Sequence, residues 1–318
     1  MIELAIENEG VLYFPAVEDE IIWQTERKGV PGQLSFTVLK DNTINFTEGN
    51  HVRLKIADQP VFYGFVFSKK RDKNGRISVT AYDQLRYLKN KDTISYENKS
   101  AEEFIQMLAA DFNLQVGVLD DTGYTIPSRV EENSTLFDMI QNALDLTLQN
   151  KKEMYVLYDD FGKLTLKNVS NMRLDILIDE ETGENYEYTS TIDGETYNQV
   201  KLSYENEDSG KREIYMAKDT GNINRWGVLQ YYDVLQKEEN GQAKADALLS
   251  LYNHKTRNLS IKSAFGDLRV RAGAMVVVIL NLGDINVKNY MLVEKCKHSI
   301  KNDEHFMDLV LRGGEFIA

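Results

Sequence analysis

One pattern constrains this chain more than any other: a glycine followed by three β-rich runs, met once near each end of the sequence. The first copy reads Gly49-Asn50-His51-Val52-Arg53-Leu54-Lys55-Ile56, then Val61 to Phe67, then Arg76 to Tyr82. The second reads Gly273 to Ile279, then Tyr290 to His298, then His305 to Leu311. Alternating apolar runs bounded by turn residues are strand signals, and recurrence of the set marks duplicated structure. Two related small β-domains in one polypeptide are expected, an arrangement that suits symmetry-matched scaffolding before it suits catalysis.

At 318 residues and 42% hydrophobic content, the chain can bury two or three modest cores. No run reaches about 18 apolar residues. The longest candidate is Met275 to Leu280, so no stable membrane anchor is expected. Met1-Ile2-Glu3-Leu4 lacks the basic and apolar segments of a secretory signal, which implies synthesis and folding in the cytoplasm. Cys296 is the single cysteine; its alternating strand context marks a buried or half-buried structural thiol, not a nucleophile. The net charge of −13 disfavours general nucleic-acid binding, which needs clustered cations. An acidic surface could instead line a channel through which DNA passes without specific binding.

The expected fold is mainly β with an α/β insert, α+β overall. Residues 1–90 read as a first tube-like β-barrel domain, with strands at Ile21–Thr25 and Gly32–Val38 and a tight turn at Asp72–Gly75. Residues 91–170 read as a small α/β insert. Ser100 caps a helix with Glu103 at N3, and Phe104, Ile105, Leu108 and Ala109 form its apolar stripe. A second helix after Ser134 carries Leu136, Phe137, Ile140, Ala143 and Leu144, and a hairpin turns at Asp159–Gly162. Residues 171–318 read as a second, discontinuous β-barrel domain. An accessory hairpin across the loop 205–211 and a helix at 241–254 interrupt it.

Chemical motifs are weak throughout. Asp160-Phe161-Gly162 matches a kinase magnesium triplet, yet no phosphate loop or His-Arg-Asp sequence accompanies it, so a hairpin turn is the better reading. Gly29, Gly32 and Gly64 lack dinucleotide-fingerprint spacing. His298 and His305 fall in different strands without metal-ligand spacing, and the acidic turn 179–184 lacks the alternation of a calcium loop. Trp23, Trp226, Tyr231 and Tyr232 could stack on sugars but also suit sheet cores and interfaces, and for Trp226-Gly227 with Val228 to Tyr232 structural packing or an interface is the better reading. The many acidic residues supply accidental carboxylate pairs that the sequence cannot rank as a glycosidase site. Neither cofactor nor metal is expected, and enzyme is the minority class.

The runs Gly49–Ile56, Val61-Phe62-Tyr63-Gly64-Phe65-Val66 and Ile77-Ser78-Val79-Thr80-Ala81-Tyr82-Asp83-Gln84-Leu85-Arg86-Tyr87-Leu88, with the downstream Arg271-Ala272-Gly273, resemble tail-hub proteins of the XkdQ/YqbQ type. That family is found in contractile phage tails, prophages and phage-tail-like bacteriocins. It is similar to baseplate central hubs and to the N-terminal hub part of type VI secretion spikes. The resemblance implies a structural baseplate protein: a homotrimer whose two β-domains per subunit make a pseudo-six-fold ring joining a hexameric tail tube to a trimeric spike. Neighbouring baseplate proteins would be further partners, and the virion or tail-like particle its destination. Gly49, Phe62, Tyr63, Gly64, Phe65, Tyr82 and Gly273 are the architectural positions. The last strand runs close to residue 318, so no lysin domain is expected to follow it. The alternative is a peripheral glycan-binding or glycan-cleaving tail protein, which would need a deep cleft or an exposed aromatic patch.

Overall fold

The computed structural model describes residues 1–41, 43–183, 185–206, 210–235, 240–281, 286–302 and 304–313. Two sequence-derived turns fall partly outside these residues: Glu184 of the acidic turn and 207–209 of the accessory hairpin.

The N-terminal region is entirely β: β1 (Ile2–Asn8), β2 (Val11–Tyr13), β3 (Val17–Glu26), β4 (Gln33–Leu39), β5 (His51–Ile56), β6 (Gln59–Arg71) and β7 (Arg76–Tyr82). Strict alternation builds it. In β4, Leu34, Phe36 and Val38 face inward, and in β7 Ile77, Val79 and Ala81 do so. They pack with Trp23, Val52, Leu54, Phe62 and Val66 in one core.

The insert holds β8 (Lys91–Lys99), α1 (Ala101–Asp111), β9 (Val116–Leu119), β10 (Ile126–Thr135), α2 (Leu136–Lys151), β11 (Tyr155–Asp159) and β12 (Leu164–Asn168). Ser100 and Glu103 form the expected capping box on α1, and Thr135 caps α2 by accepting from Asp138 N–H. The apolar stripes of both helices close over Leu164 and Leu166 of the small sheet β11-β12-β9.

Past the insert run β13 (Arg173–Ile178), β14 (Asn185–Thr191), β15 (Gln199–Asn206), β16 (Lys211–Lys218), α3 (Thr220–Trp226), β17 (Gln230–Leu235), α4 (Gly241–Tyr252), β18 (Thr256–Phe265), β19 (Met275–Asn281), β20 (Asn286–Lys301) and β21 (Glu304–Gly313). By compactness the chain divides into Met1–Glu187 with Leu259–Leu311, and Tyr188–Asn258 with Arg312–Ala318. In the second unit, sheet β16-β15-β17 is covered on one face by α4, whose Ala245 and Leu248 bury Val200, Leu202, Ala217 and Leu235. Its other face exposes Ile214, Met216 and Tyr232.

The mainly β, α+β character is as expected, but the two β-barrels are not. Both glycine-led meanders, β5-β6-β7 and β19-β20-β21, belong to one open 13-stranded sheet, ordered β14-β18-β21-β20-β3-β4-β7-β6-β5-β1-β2, with β13 and β19 branching from β20. No sheet among the described residues closes. The reason lies in β20, whose 16 residues pair with β21 along one edge and serve two neighbours along the other. Its first half pairs with β19 (Met275↔Leu292) and its second half with β3 of the other copy (Ile300↔Ile21). The edge that would have to turn back on its own copy is thus bonded to the other one. The second copy is split along the chain: β14 precedes, and β18 to β21 follow, the β15–α4 segment.

Candidate functional site

The repeated glycines hold identical places. Gly49 has φ +89° and Gly273 has φ +94°, a region glycine enters without steric cost. Gly49 donates its N–H to Val66 O at 2.7 Å, and Val66 donates back to Asn50 O at 2.9 Å. Gly273 donates to Val293 O at 2.8 Å, and Val293 donates back to Ala274 O at 2.8 Å. Each glycine thereby starts a strand in register with the long central strand of its own copy.

On β6 the residues expected to be architectural separate by face. Phe62 is core, whereas Tyr63, Phe65 and Phe67 point the other way and are half-buried. They form an aromatic ladder: Tyr63 Oη lies 2.6 Å from His51 Nδ1, Phe65 packs on His51 and Tyr87, and Phe67 packs edge-on to Tyr82 beneath Arg86. Phe161 of the β11–β12 turn lies against Tyr63, so the Asp160-Phe161-Gly162 triplet is a turn that packs. Gly64 lets β6 approach β7, because a Cβ there would stand 2.3 Å from Tyr82 O and 2.7 Å from Phe62 Cζ.

Asp83 and Arg271, quoted above from separate motifs, enter one buried polar centre. Asp83 accepts from Gly32 N–H at 2.9 Å and Leu85 N–H at 3.1 Å, capping the short helical turn Gln84–Lys89. Arg271 is partly buried, stacks 4.0 Å over the Tyr158 ring and donates to Asp159 O at 3.0 Å. Burial, with the Asp159 charge adding to it, pushes Asp83 well above the usual carboxylate range against the pull of Arg271. Asp159 is raised to about 6, chiefly by burial, although the Gly162 N–H, Gln84 and Arg271 oppose the shift. Single-motif reading missed this centre; its signal was the co-occurrence of Ala-Tyr-Asp and Arg-Ala-Gly in one resemblance.

The β3–β20 seam joins the two copies. Arg27 grips the Glu294 carboxylate through two hydrogen bonds, at 2.8 and 2.9 Å, and Lys295 pairs with Glu26 at 2.8 Å. Ala272 donates its N–H to the buried Thr25 Oγ1 at 2.9 Å. His298 stacks on Trp23 with centroids 4.7 Å apart. Cys296 Sγ sits 3.1 Å from His298 Nε2, and burial holds this thiol far above its ordinary pKa, which makes it inert. His298 and His305, assigned to separate strands by the sequence, are in hydrogen-bond contact.

Among the described residues no group of three or more His, Cys, Asp or Glu side chains is arranged to hold a metal ion. In the 179–184 turn, Asp179 Oδ1 accepts from the Glu181 and Thr182 N–H groups, a closed turn geometry. Trp23 is core; Tyr231 stacks on Tyr252 and meets Tyr197 edge-on. Tyr232 is exposed with its hydroxyl 2.9 Å from Ser203 Oγ, and Trp226 ends α3 half-buried. No described helix is long and apolar enough to cross a membrane.

Comparison with known proteins gives a match to the YqbQ-like family model over residues 21–312. YqbQ of Bacillus subtilis strain 168 is 30% identical over 321 residues, covering 97% of this chain and 96% of the relative. The phage-like element PBSX protein XkdQ of the same strain is 29% identical, with the same coverage. A crystal structure of the tail protein from Neisseria meningitidis MC58 shares the fold, at TM-score 0.71 and 11% identity, over 99% of this chain and 97% of that one.

Proposed function

Since the chain belongs to the YqbQ-like family, we propose that it is a structural hub protein of a contractile phage tail or tail-like particle. The observation that carries this reading is the duplicated meander: two copies of one motif, registered by Gly49 and Gly273 and fused through β3 and β20 into a single sheet. A chain that presents the same element twice can meet a six-fold neighbour with three copies of itself. The full-length relationship to a protein of a phage-like element supports the reading.

In this proposal three chains form a pseudo-six-fold ring between a hexameric tail tube and a trimeric spike, with neighbouring baseplate proteins outside. Residues 1–90 and 171–318 carry the repeated parts, and residues 91–170 face other components. Gly49, Phe62, Tyr63, Gly64, Phe65, Tyr82 and Gly273 act architecturally. The chain catalyses nothing, carries no cofactor, and the net charge of −13 lets DNA pass without adhering. Deleting the gene from a producing strain tests the reading. Particles that lack spikes while sheath and tube subunits accumulate are expected; complete, infective or bactericidal particles would overturn it.

A further inference from the structure

The hydrogen bonds that align the two copies also identify which strands correspond. Leu39 donates to Ala16 O just ahead of β3 (3.5 Å), and Phe265 donates to Thr182 O just ahead of β14 (3.3 Å). Lys40 donates to Gly75 O at the start of β7 (2.8 Å), and Gly266 donates to His305 O at the start of β21 (2.8 Å). With Gly49 matched to Gly273, β3, β4, β5, β6 and β7 therefore correspond to β14, β18, β19, β20 and β21. The sheet order agrees: β3-β4-β7-β6-β5 in one copy, β14-β18-β21-β20-β19 in the other.

This correspondence exposes two unmatched edges. The outer edge of β3 is bonded to the second half of β20, whereas its counterpart β14 ends the sheet with β18 as its single described neighbour. The counterpart of that half of β20 is Ser68–Arg71 of β6. These residues pair with β7 on one side, and on the other side the β5 ladder stops at Phe65. Both edges are exposed, and an exposed strand edge is a template for pairing.

We propose that β14 of one copy of this chain pairs antiparallel with Ser68–Arg71 in a second copy, repeating between chains the β3–β20 junction made within each. The inference rests on the ring reading above and names the surfaces that close the ring. Charge fits this occupant. The internal junction is held by opposite charges, Lys295 with Glu26 and Arg27 with Glu294. The open edge of β6 carries Lys69, Lys70 and Arg71, while β14 carries Glu187 and follows Asp179, Glu180 and Glu181. Pairing β14 with β14 would set acid against acid, and β6 with β6 cation against cation; only the head-to-tail contact joins unlike charges. Such a contact between two different surfaces generates a ring when its rotation closes. Internal and external junctions would then alternate around the ring.

Zero-length carboxyl–amine cross-linking of purified tail particles, read by mass spectrometry, tests this contact. Within one chain Glu187 and Lys70 lie on strands seven spacings apart in the sheet order, and particles assembled from a mixture of isotope-labelled and unlabelled chains mark the links that join two copies. Links from Lys69 or Lys70 to Glu187 are expected. Lys70→Glu with Arg71→Glu should lower incorporation into particles about ten-fold, and adding Glu187→Lys should restore it. If the chain is present in the particles but Glu187 links only to a different protein, or these lysines stay unlinked, the strand assignment falls and the hub reading stands. Wild-type incorporation of the Lys70→Glu, Arg71→Glu variant with Glu187 left unchanged would also overturn the assignment. Absence of the chain from particles overturns both. The cross-link is read on the wild-type protein, so a variant that fails to fold does not remove the test.

Discussion

His298 Nδ1 and His305 Nε2 stand 2.8 Å apart, and the same His298 ring places Nε2 2.8 Å from Val270 O. A carbonyl only accepts, so Nε2 carries the His298 proton and Nδ1 accepts from His305; the pair is built for two neutral rings. Burial lowers the His298 pKa from 6.5 to about 4, against the pull of the Val270 carbonyl, while His305 and Arg271 lower it further and Asp267 raises it. The unfolded chain therefore binds more protons than the folded one between these values. This contribution is complete above pH 6.5 and is lost as pH falls towards 4, amounting to about 3 kcal/mol. Denaturant unfolding across this range should show the loss, and His298→Gln should flatten it. An unchanged slope in the variant would assign the acid sensitivity elsewhere.

Removing the Arg271 charge leaves two buried carboxylates without their cation. Arg271→Met removes the hydrogen bond to Asp159 O and the attraction of the guanidinium for both carboxylates, and should cost roughly 1.5 to 3 kcal/mol near pH 8. The cost should shrink near pH 5, because Asp159, already raised to about 6, takes up a proton there. Unfolding free energies at the two pH values measure this; equal penalties would mean that Arg271 acts through its packing on Tyr158 alone.

The two motif glycines should respond unequally to alanine. A Cβ on Gly49 meets nothing within 4 Å, so Gly49→Ala carries only the positive-φ penalty of about 1 kcal/mol. On Gly273 the added carbon would stand 2.7 Å from Val156 Cγ1, so overpacking adds roughly 1 to 3 kcal/mol. Chemical denaturation of both variants gives the comparison, and equal losses would count against the packing account.

The local elements were legible because their signals are local. Ser100 and Glu103 announce α1, alternation announces β4 and β7, and the two meanders were recognisable as copies. What the copies do with their edges was not legible. Whether β20 bonds back to its own copy or onward to β3 depends on pairing across more than 250 residues, which no periodicity records. For the same reason Asp83 and Arg271 were quoted as motif residues without their shared burial, and His298 and His305 without their contact. Phe62, Tyr63 and Phe65 were identified together. Their division into one core residue and two on the opposite face follows from the period of two along β6.

Cryo-EM of intact tail particles tests the hub proposal most directly. The account predicts three copies of this chain in a ring between the last tube hexamer and the spike, with the 49–82 and 273–311 segments alternating around the axis. Copies found at the particle periphery, or a ring in which these two segments do not occupy equivalent positions, would contradict it.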